Sequence, residues 1–443
     1  MEKIYEKLAY SLKWITFESV TYQTLFLIHQ IVLFFVSKGK LYGIIGATFS
    51  LIYFTVTIAS FGLESSLSPF FKKISDSQNR FRRFFSIQIL PTFAFTIVAA
   101  MVFVFIVPSS YTFIILISLI VLSESIKKTL RGALYLAFKN QTNAYVEIAS
   151  ILAYITSIWS CYLFTKKITL HLIFVPMLLT SVISTAILFL FLYKFYKTMP
   201  AHTNKANIPL ARVAKCRTIN FINQFTHNMF SGNFLTPFFA FQFGLTQAGT
   251  FKLMSHISYG VTSLMRKIFG WASDTILAQT KDTGLQEKKA AFSAITAKLH
   301  NVVYAIIIFL TINLTKIVRC SHTGNSATNW QLIIFFLIIT LSENLFITYE
   351  KFYITEEKNF YILLCNLLSI AFLTVIISFS SYFPQLTLLI LIASSRIGLF
   401  AILSLFSYHK WTIKPNLQIN PLYIASSISA SIAVFIVLQK LHI

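Results

Sequence analysis

The chain has 443 residues, 56% of them hydrophobic and 12% charged, with a mean hydropathy of +0.72. A water-soluble domain carries about a quarter charged residues, so lipid is the main solvent and a soluble enzyme or binding module is excluded. The formal charge of +23, from 37 Lys and Arg against 14 Asp and Glu, reads as the loop charge of a polytopic protein, because cations collect in cytoplasmic loops whatever the function. Nucleic acid is therefore not an expected partner.

Apolar blocks of about 17 to 25 residues, the length a helix needs to cross about 30 Å of hydrocarbon, follow one another along the chain. In order they are Trp14–Val36, Leu41–Phe71, Phe84–Val107, Tyr111–Ile126, Tyr145–Phe164, Leu170–Tyr193 and Ile219–Phe241. Ala248–Gly270, Leu299–Val318, Trp330–Thr348, Phe360–Phe379, Leu386–Ser407 and Leu422–Leu438 complete thirteen candidate spans. Lipid-facing backbone must satisfy its own hydrogen bonds, so these are helices; the short alternating strands of an outer-membrane barrel are absent from the sequence. Met1 to Lys13 is polar and shows no signal-peptide cleavage pattern, so the first helix is expected to stay in place.

With the N-terminus in the cytoplasm, 28 of the 37 Lys and Arg fall inside, 7 fall outside, and Lys252 and Arg396 lie within spans. That asymmetry fits the positive-inside rule. The segment Lys194 to Arg217, with Pro200, Pro209 and six cations, reads as a cytoplasmic linker. The predicted organisation is an all-α integral membrane protein: an N-terminal six-helix bundle over 1–196, a basic linker over 197–218, a C-terminal six-helix bundle over 219–407, and a tail over 408–443 holding the extra span.

An internal repeat supports this division. Ser123-Glu124 precedes Lys139-Asn140 by 16 positions, and Ser342-Glu343 precedes Lys358-Asn359 by the same 16, at an offset of 219. Six spans per half give both halves the same orientation, so the repeat is parallel, about an axis along the membrane normal.

The segments Lys40-Leu41-Tyr42-Gly43, Ala59-Ser60-Phe61-Gly62-Leu63, Phe243-Gly244-Leu245 and Gln247-Ala248-Gly249-Thr250-Phe251, with the six-plus-six layout, resemble the polysaccharide flippases. These belong to the multidrug, oligosaccharidyl-lipid and polysaccharide exporter superfamily, which also holds the O-antigen flippases and the MATE drug exporters. The resemblance covers about residues 10 to 407. The chain departs from the family in having only 13 glycines and in its thirteenth span. The resemblance implies two bundles, arranged as a V, that open alternately to either side of a bacterial inner membrane. It implies as substrate an oligosaccharide carried on a polyprenyl diphosphate, with membrane lipids, a polysaccharide polymerase and a chain-length regulator as further partners.

A charge at mid-bilayer costs about 2.5 to 3.5 kcal/mol on insertion scales, so such residues face a bundle interior or water. Arg396 and Lys252 are candidates to hold a diphosphate or an acidic sugar, Arg through its fork and Lys as a mobile point charge; the competing reading has Lys252 snorkelling to the interface and Arg396 in a structural ion pair. His256, four residues after Lys252, shares its helix face. Glu18, on a broad face with Gln23 and His29, is the ion-coupling candidate, because a desolvated carboxylate can exchange a proton or bind a cation; a solvated residue near the membrane boundary is the alternative. Glu124 and Glu343, at equivalent repeat positions, are assigned to gating or structural pairing, with Lys127, Lys128 or Lys351 to neutralise them. Glu147 reads as an acid at a helix N-terminus.

No GxxxxGK[ST] loop occurs, so ATP is not bound by that route. The scattered cysteines have no CxxC and no His at metal spacing, which predicts free thiols, no metal and no cofactor. A glycan polymerase or glycosyltransferase is the competing enzyme class, but the longest outside loop, Arg319 to Asn329, is about 11 residues with no carboxylate. The chain is expected not to be an enzyme. Within transporters, an ion-coupled multidrug exporter is the alternative.

Overall fold

The structure, a computed structural model, describes residues 2–60, 89–106, 111–137, 139–198, 210–265, 269, 285–320, 336–355, 359–411 and 421–440. Among the described residues the regular structure is helical, with no strand. The chain is an all-α membrane protein, and among the described residues six helical segments are long and apolar enough to cross a membrane. It divides into two compact units, Met1–Gly249 and Thr250–Ile443. The Phe61–Leu63 part of one family-like segment, and Arg266 and Lys267, lie outside the described residues.

The N-terminal unit is built from α1 (Glu2–Ser60), α2 (Leu90–Ile106), α3 (Tyr111–Leu136), α4 (Asn140–Thr165), α5 (Leu170–Thr198), α6 (Leu210–Met229) and α7 (Gly232–Phe243). A straight α1 would be about 88 Å long, nearly three times the hydrocarbon thickness. It holds two spans instead, Lys13–Ser37 and Lys40–Ser60. Gln30 and Tyr42 would stand about 18 Å apart on a straight axis, beyond their combined reach. Yet the Tyr42 hydroxyl donates to Gln30 Oε1 at 2.9 Å, so the chain bends sharply between the two spans.

On α5 the buried positions Ile173, Met177, Ser181, Ser184, Leu188, Leu192 and Tyr196 recur every three or four residues. The opposite face is equally apolar and open, with Leu179 57%, Ile183 58% and Leu190 64% exposed. A helix apolar all round, with one face uncovered by protein, is a lipid-facing helix. The seventh predicted span is broken between α6 and α7, where the Ser231 side chain accepts from the Asn233 backbone N–H at 3.2 Å and so caps α7. The break therefore precedes Pro237, which lies inside α7.

The next helix, α8 (Leu245–Met265), begins in the first unit and continues into the second. Gly244 joins it to α7 with φ of 87°, a conformation that suits glycine. The second unit continues with α9 (Leu285–Cys320), a 3₁₀ turn (Asn344–Phe346), α10 (Ile347–Thr355), α11 (Asn359–Ser378), α12 (Gln385–Trp411) and α13 (Pro421–Lys440). Phe292 meets Tyr349 edge-on at 5.0 Å, and Tyr353, Ile362, Cys365, Phe400 and Leu403 form a buried cluster across α10, α11 and α12. The segment predicted to hold the extra C-terminal span forms a helix docked on α9: Asn313 Nδ2 donates to Ser431 Oγ at 2.7 Å, and Ser427 Oγ to the Ala305 carbonyl at 2.8 Å.

Candidate functional site

Among the described residues, Glu18, Glu124, Lys127, Arg131 and Glu147 form a charge network in the N-terminal unit. It starts on α3, which runs ten residues past the predicted span end at Ile126. Lys127, Arg131 and Tyr135 are spaced by four, so they project from one helix face. Arg131 Nη2 donates to Glu18 Oε1 at 2.6 Å and to the Tyr135 hydroxyl at 3.0 Å. Tyr135 in turn donates to Glu18 Oε2 at 2.6 Å. Arg131 Nη1 lies 3.5 Å from Glu147 Oε2, while Lys127 Nζ lies 3.2 Å from Glu124 Oε1 and 3.5 Å from Glu147 Oε1.

Burial makes these pairings obligatory rather than decorative. Glu18 and Glu147 are 2% exposed and Lys127 is 7%; an uncompensated charge at such a place costs several kcal/mol. Among the described residues, the carboxylates of Glu18, Glu124 and Glu147 meet the cations of Lys127 and Arg131. Glu18 is thus buried and paired rather than solvated. Glu147 sits eight residues into the sequence of α4, on its buried face with Asn140, Asn143 and Tyr154, and not at the helix start. Sequence reasoning missed Arg131 and Tyr135, counting Arg131 as loop charge; the four-residue spacing from Lys127 was the signal available.

Beside the network lies a narrow cleft of about 30 Å³ lined by Glu124, Lys127, Tyr22, Tyr53 and Tyr154, among others. Phe26, Phe49 and Met177 supply its apolar wall, and Ser150 and Thr180 add hydroxyls. Tyr154 also packs edge-on against His29 at 5.4 Å, and His29 Nδ1 accepts from Trp159 Nε1–H at 3.2 Å. Of the residues predicted to share a face of the first helix, Glu18 and His29 are buried and Gln23 is half-buried.

In the C-terminal unit Arg396 is 3% exposed. Its Nη1 donates to Asn366 Oδ1, its Nε lies 3.5 Å from Glu343 Oε1, and its guanidinium carbon stands 4.4 Å from the Phe400 ring centroid. The structure therefore brings two predicted site residues, Arg396 and Glu343, together. Lys252 is 1% exposed, so its ammonium does not snorkel to the protein surface. His256 follows one turn later on α8, half-buried.

Neither a protein-family profile nor a curated relative matches the sequence. Solved structures do. A MOP superfamily transporter from Pyrococcus furiosus superposes with a TM-score of 0.58 at 9% identity, covering 91% of this chain and 95% of that one. The MATE transporter ClbM in complex with Rb+ gives 0.61 at 15% identity, covering 95% and 97%. The eukaryotic MATE transporter AtDTX14 gives 0.59 at 10% identity, covering 92% and 96%.

The fold is that of the MATE transporters. At these identities the likeness is one of backbone architecture, and it spans nearly the whole of each chain.

Proposed function

We propose that the protein is a transporter that carries an oligosaccharide on a polyprenyl diphosphate across a bacterial inner membrane by alternating access, with its N-terminus in the cytoplasm. The observation that carries this reading is the cleft of the N-terminal unit, where a lysine, a glutamate, three tyrosines and further hydroxyls meet at helix-buried depth. Such a lining is wasteful in a scaffold. The MATE fold supports transport. The resemblance of the family-like segments supports the lipid-linked glycan.

In this reading the two bundles and their linker keep the predicted boundaries. Lys252 and His256 serve the diphosphate, Arg396 and Glu343 form a gate pair that Asn366 and Phe400 hold in register, and Glu124 pairs with Lys127. Glu18 exchanges a proton or a cation when its bond to Arg131 opens. A second reading, export of cationic drugs, is favoured by the likeness in fold to the MATE transporter ClbM, which was solved in complex with Rb+.

Reconstituted proteoliposomes separate the two. Wild type should move a labelled polyprenyl-diphosphate glycan across the bilayer. Failure to do so, with extrusion of a cationic dye by the same preparation, would establish drug export instead.

A further inference from the structure

Helix α5 has 29 residues and no acidic one, and at 1.5 Å per residue it is about 43 Å long. That matches the about 40 to 45 Å of a bilayer with its headgroup layers, not the about 30 Å of hydrocarbon alone. Both ends of the helix therefore reach the headgroup layers, and the C-terminal end carries Lys194 and Lys197 there.

Positions 183, 187, 190, 194 and 197 are spaced by four, three, four and three, so they run along one face of the helix. Ile183, Ile187 and Leu190 are exposed on it. Lys194 and Lys197 continue the same line and are exposed as well. The opposite face, with Leu188, Leu192 and Tyr196, is buried against protein. An open apolar strip that ends in two ammonium groups is complementary to a phospholipid, whose acyl chain ends at a phosphate.

Lys139 adds a third cation. It is exposed just before α4, and its Nζ stands 5.8 Å from the ring centroid of Phe195, the neighbour of Lys194. Tyr193, 46% exposed, supplies an aromatic ring of the kind that settles at headgroup level.

The cations inside the unit have protein partners, since Lys127 and Arg131 meet Glu18, Glu124 and Glu147. At the rim the balance is different. Among the described residues no carboxylate stands within ion-pair distance of Lys139, Lys194 or Lys197, so these ammonium groups are left for an anion from the membrane.

We propose that the C-terminal end of α5 binds an anionic phospholipid of the adjoining leaflet, with its phosphate on Lys194, Lys197 and Lys139 and an acyl chain along Leu190, Ile187 and Ile183. On the predicted topology that leaflet is the cytoplasmic one. The occupant is a bilayer lipid and not the cargo, because the strip lies on the side of α5 turned away from its protein neighbours. The inference holds for either cargo, glycan lipid or drug.

Native mass spectrometry of the full-length protein, released from nanodiscs of equal phosphatidylglycerol and phosphatidylcholine, tests it. Wild type should retain phosphatidylglycerol in preference to phosphatidylcholine. Lys194→Gln and Lys197→Gln should each lower that preference about fivefold, the share of one lysine at an anionic surface. Lys194→Arg combined with Lys197→Arg keeps both charges and should keep the preference. Lys166→Gln combined with Lys167→Gln, exposed at the other end of α5, should leave it unchanged. The site is overturned by equal retention of the two lipids by wild type or by an unchanged preference in both single glutamine variants. An equal loss in the Lys166 and Lys167 variant, or release of the lipid by inorganic phosphate, overturns it too.

Discussion

Glu147 and Asn366 stand 219 positions apart, the offset that also separates Glu124 from Glu343, and each approaches the cation of its own unit. Glu147 reaches Lys127 and Arg131; Asn366 accepts from Arg396. The helices that carry them, α4 and α11, begin at Asn140 and Asn359 with the same offset of 219. Each half thus encloses a cation between a residue from the end of its fourth span and one from its fifth. The cation itself comes from different helices: α3 in the first half, α12 in the second. In the second unit an amide, Asn366, stands where the first has a carboxylate, Glu147.

The Glu18–Arg131 bond should dominate the stability of the N-terminal unit. Arg131→Ala removes the ion-pair partner that Glu18 meets at 2.6 Å and one partner of Glu147, and breaking a buried pair from one side costs about 3 to 5 kcal/mol. Thermal unfolding in detergent should show that loss for Arg131→Ala. The double variant Glu18→Leu with Arg131→Leu should recover most of it, since no charge is then left unpaired.

Arg396→Lys keeps the charge but loses the fork that reaches Asn366 and Glu343 together. It also loses the planar stack over Phe400. Stability should fall by about 1 to 2 kcal/mol, and a double-mutant cycle with Glu343→Gln should show coupling between the two sites. Independent effects would mean that the ion pair does not form.

Gly43→Ala should be poorly tolerated. A Cβ there would lie 1.8 Å from the Leu245 carbonyl oxygen, a backbone atom at the start of α8. Relief requires the helices to part, at a cost of about 1 to 3 kcal/mol. Gly398→Ala is the control: nothing lies within 4 Å of its Cβ position, and alanine should gain up to about 1 kcal/mol of helix propensity on α12. Melting curves of the two variants should move in opposite directions.

Lys252→Met should test whether Lys252 serves the diphosphate of the cargo. Loss of a charge-assisted hydrogen bond lowers glycan-lipid movement by about tenfold or more. Transport at the wild-type rate would remove Lys252 from the cargo path.

The sequence by itself determined the solvent and the helical class. Hydrocarbon thickness and the satisfaction of backbone hydrogen bonds impose those on any chain with such apolar blocks. It also pointed to Arg396, Lys252, Glu18, Glu124 and Glu343, because charges near span depth stand out in an apolar background. Only the tertiary structure decided which charges meet. Hydropathy ends a span where charges begin, so Lys127 and Arg131 read as loop cations, although α3 carries them onward to Glu18 and Glu147. The Glu18 pairing joins residues more than a hundred positions apart, and no local period encodes such a distance. Burial then turned the inventory of charges into pairs, because each charge removed from water must be compensated by whatever the packing of α1, α3 and α4 brings beside it.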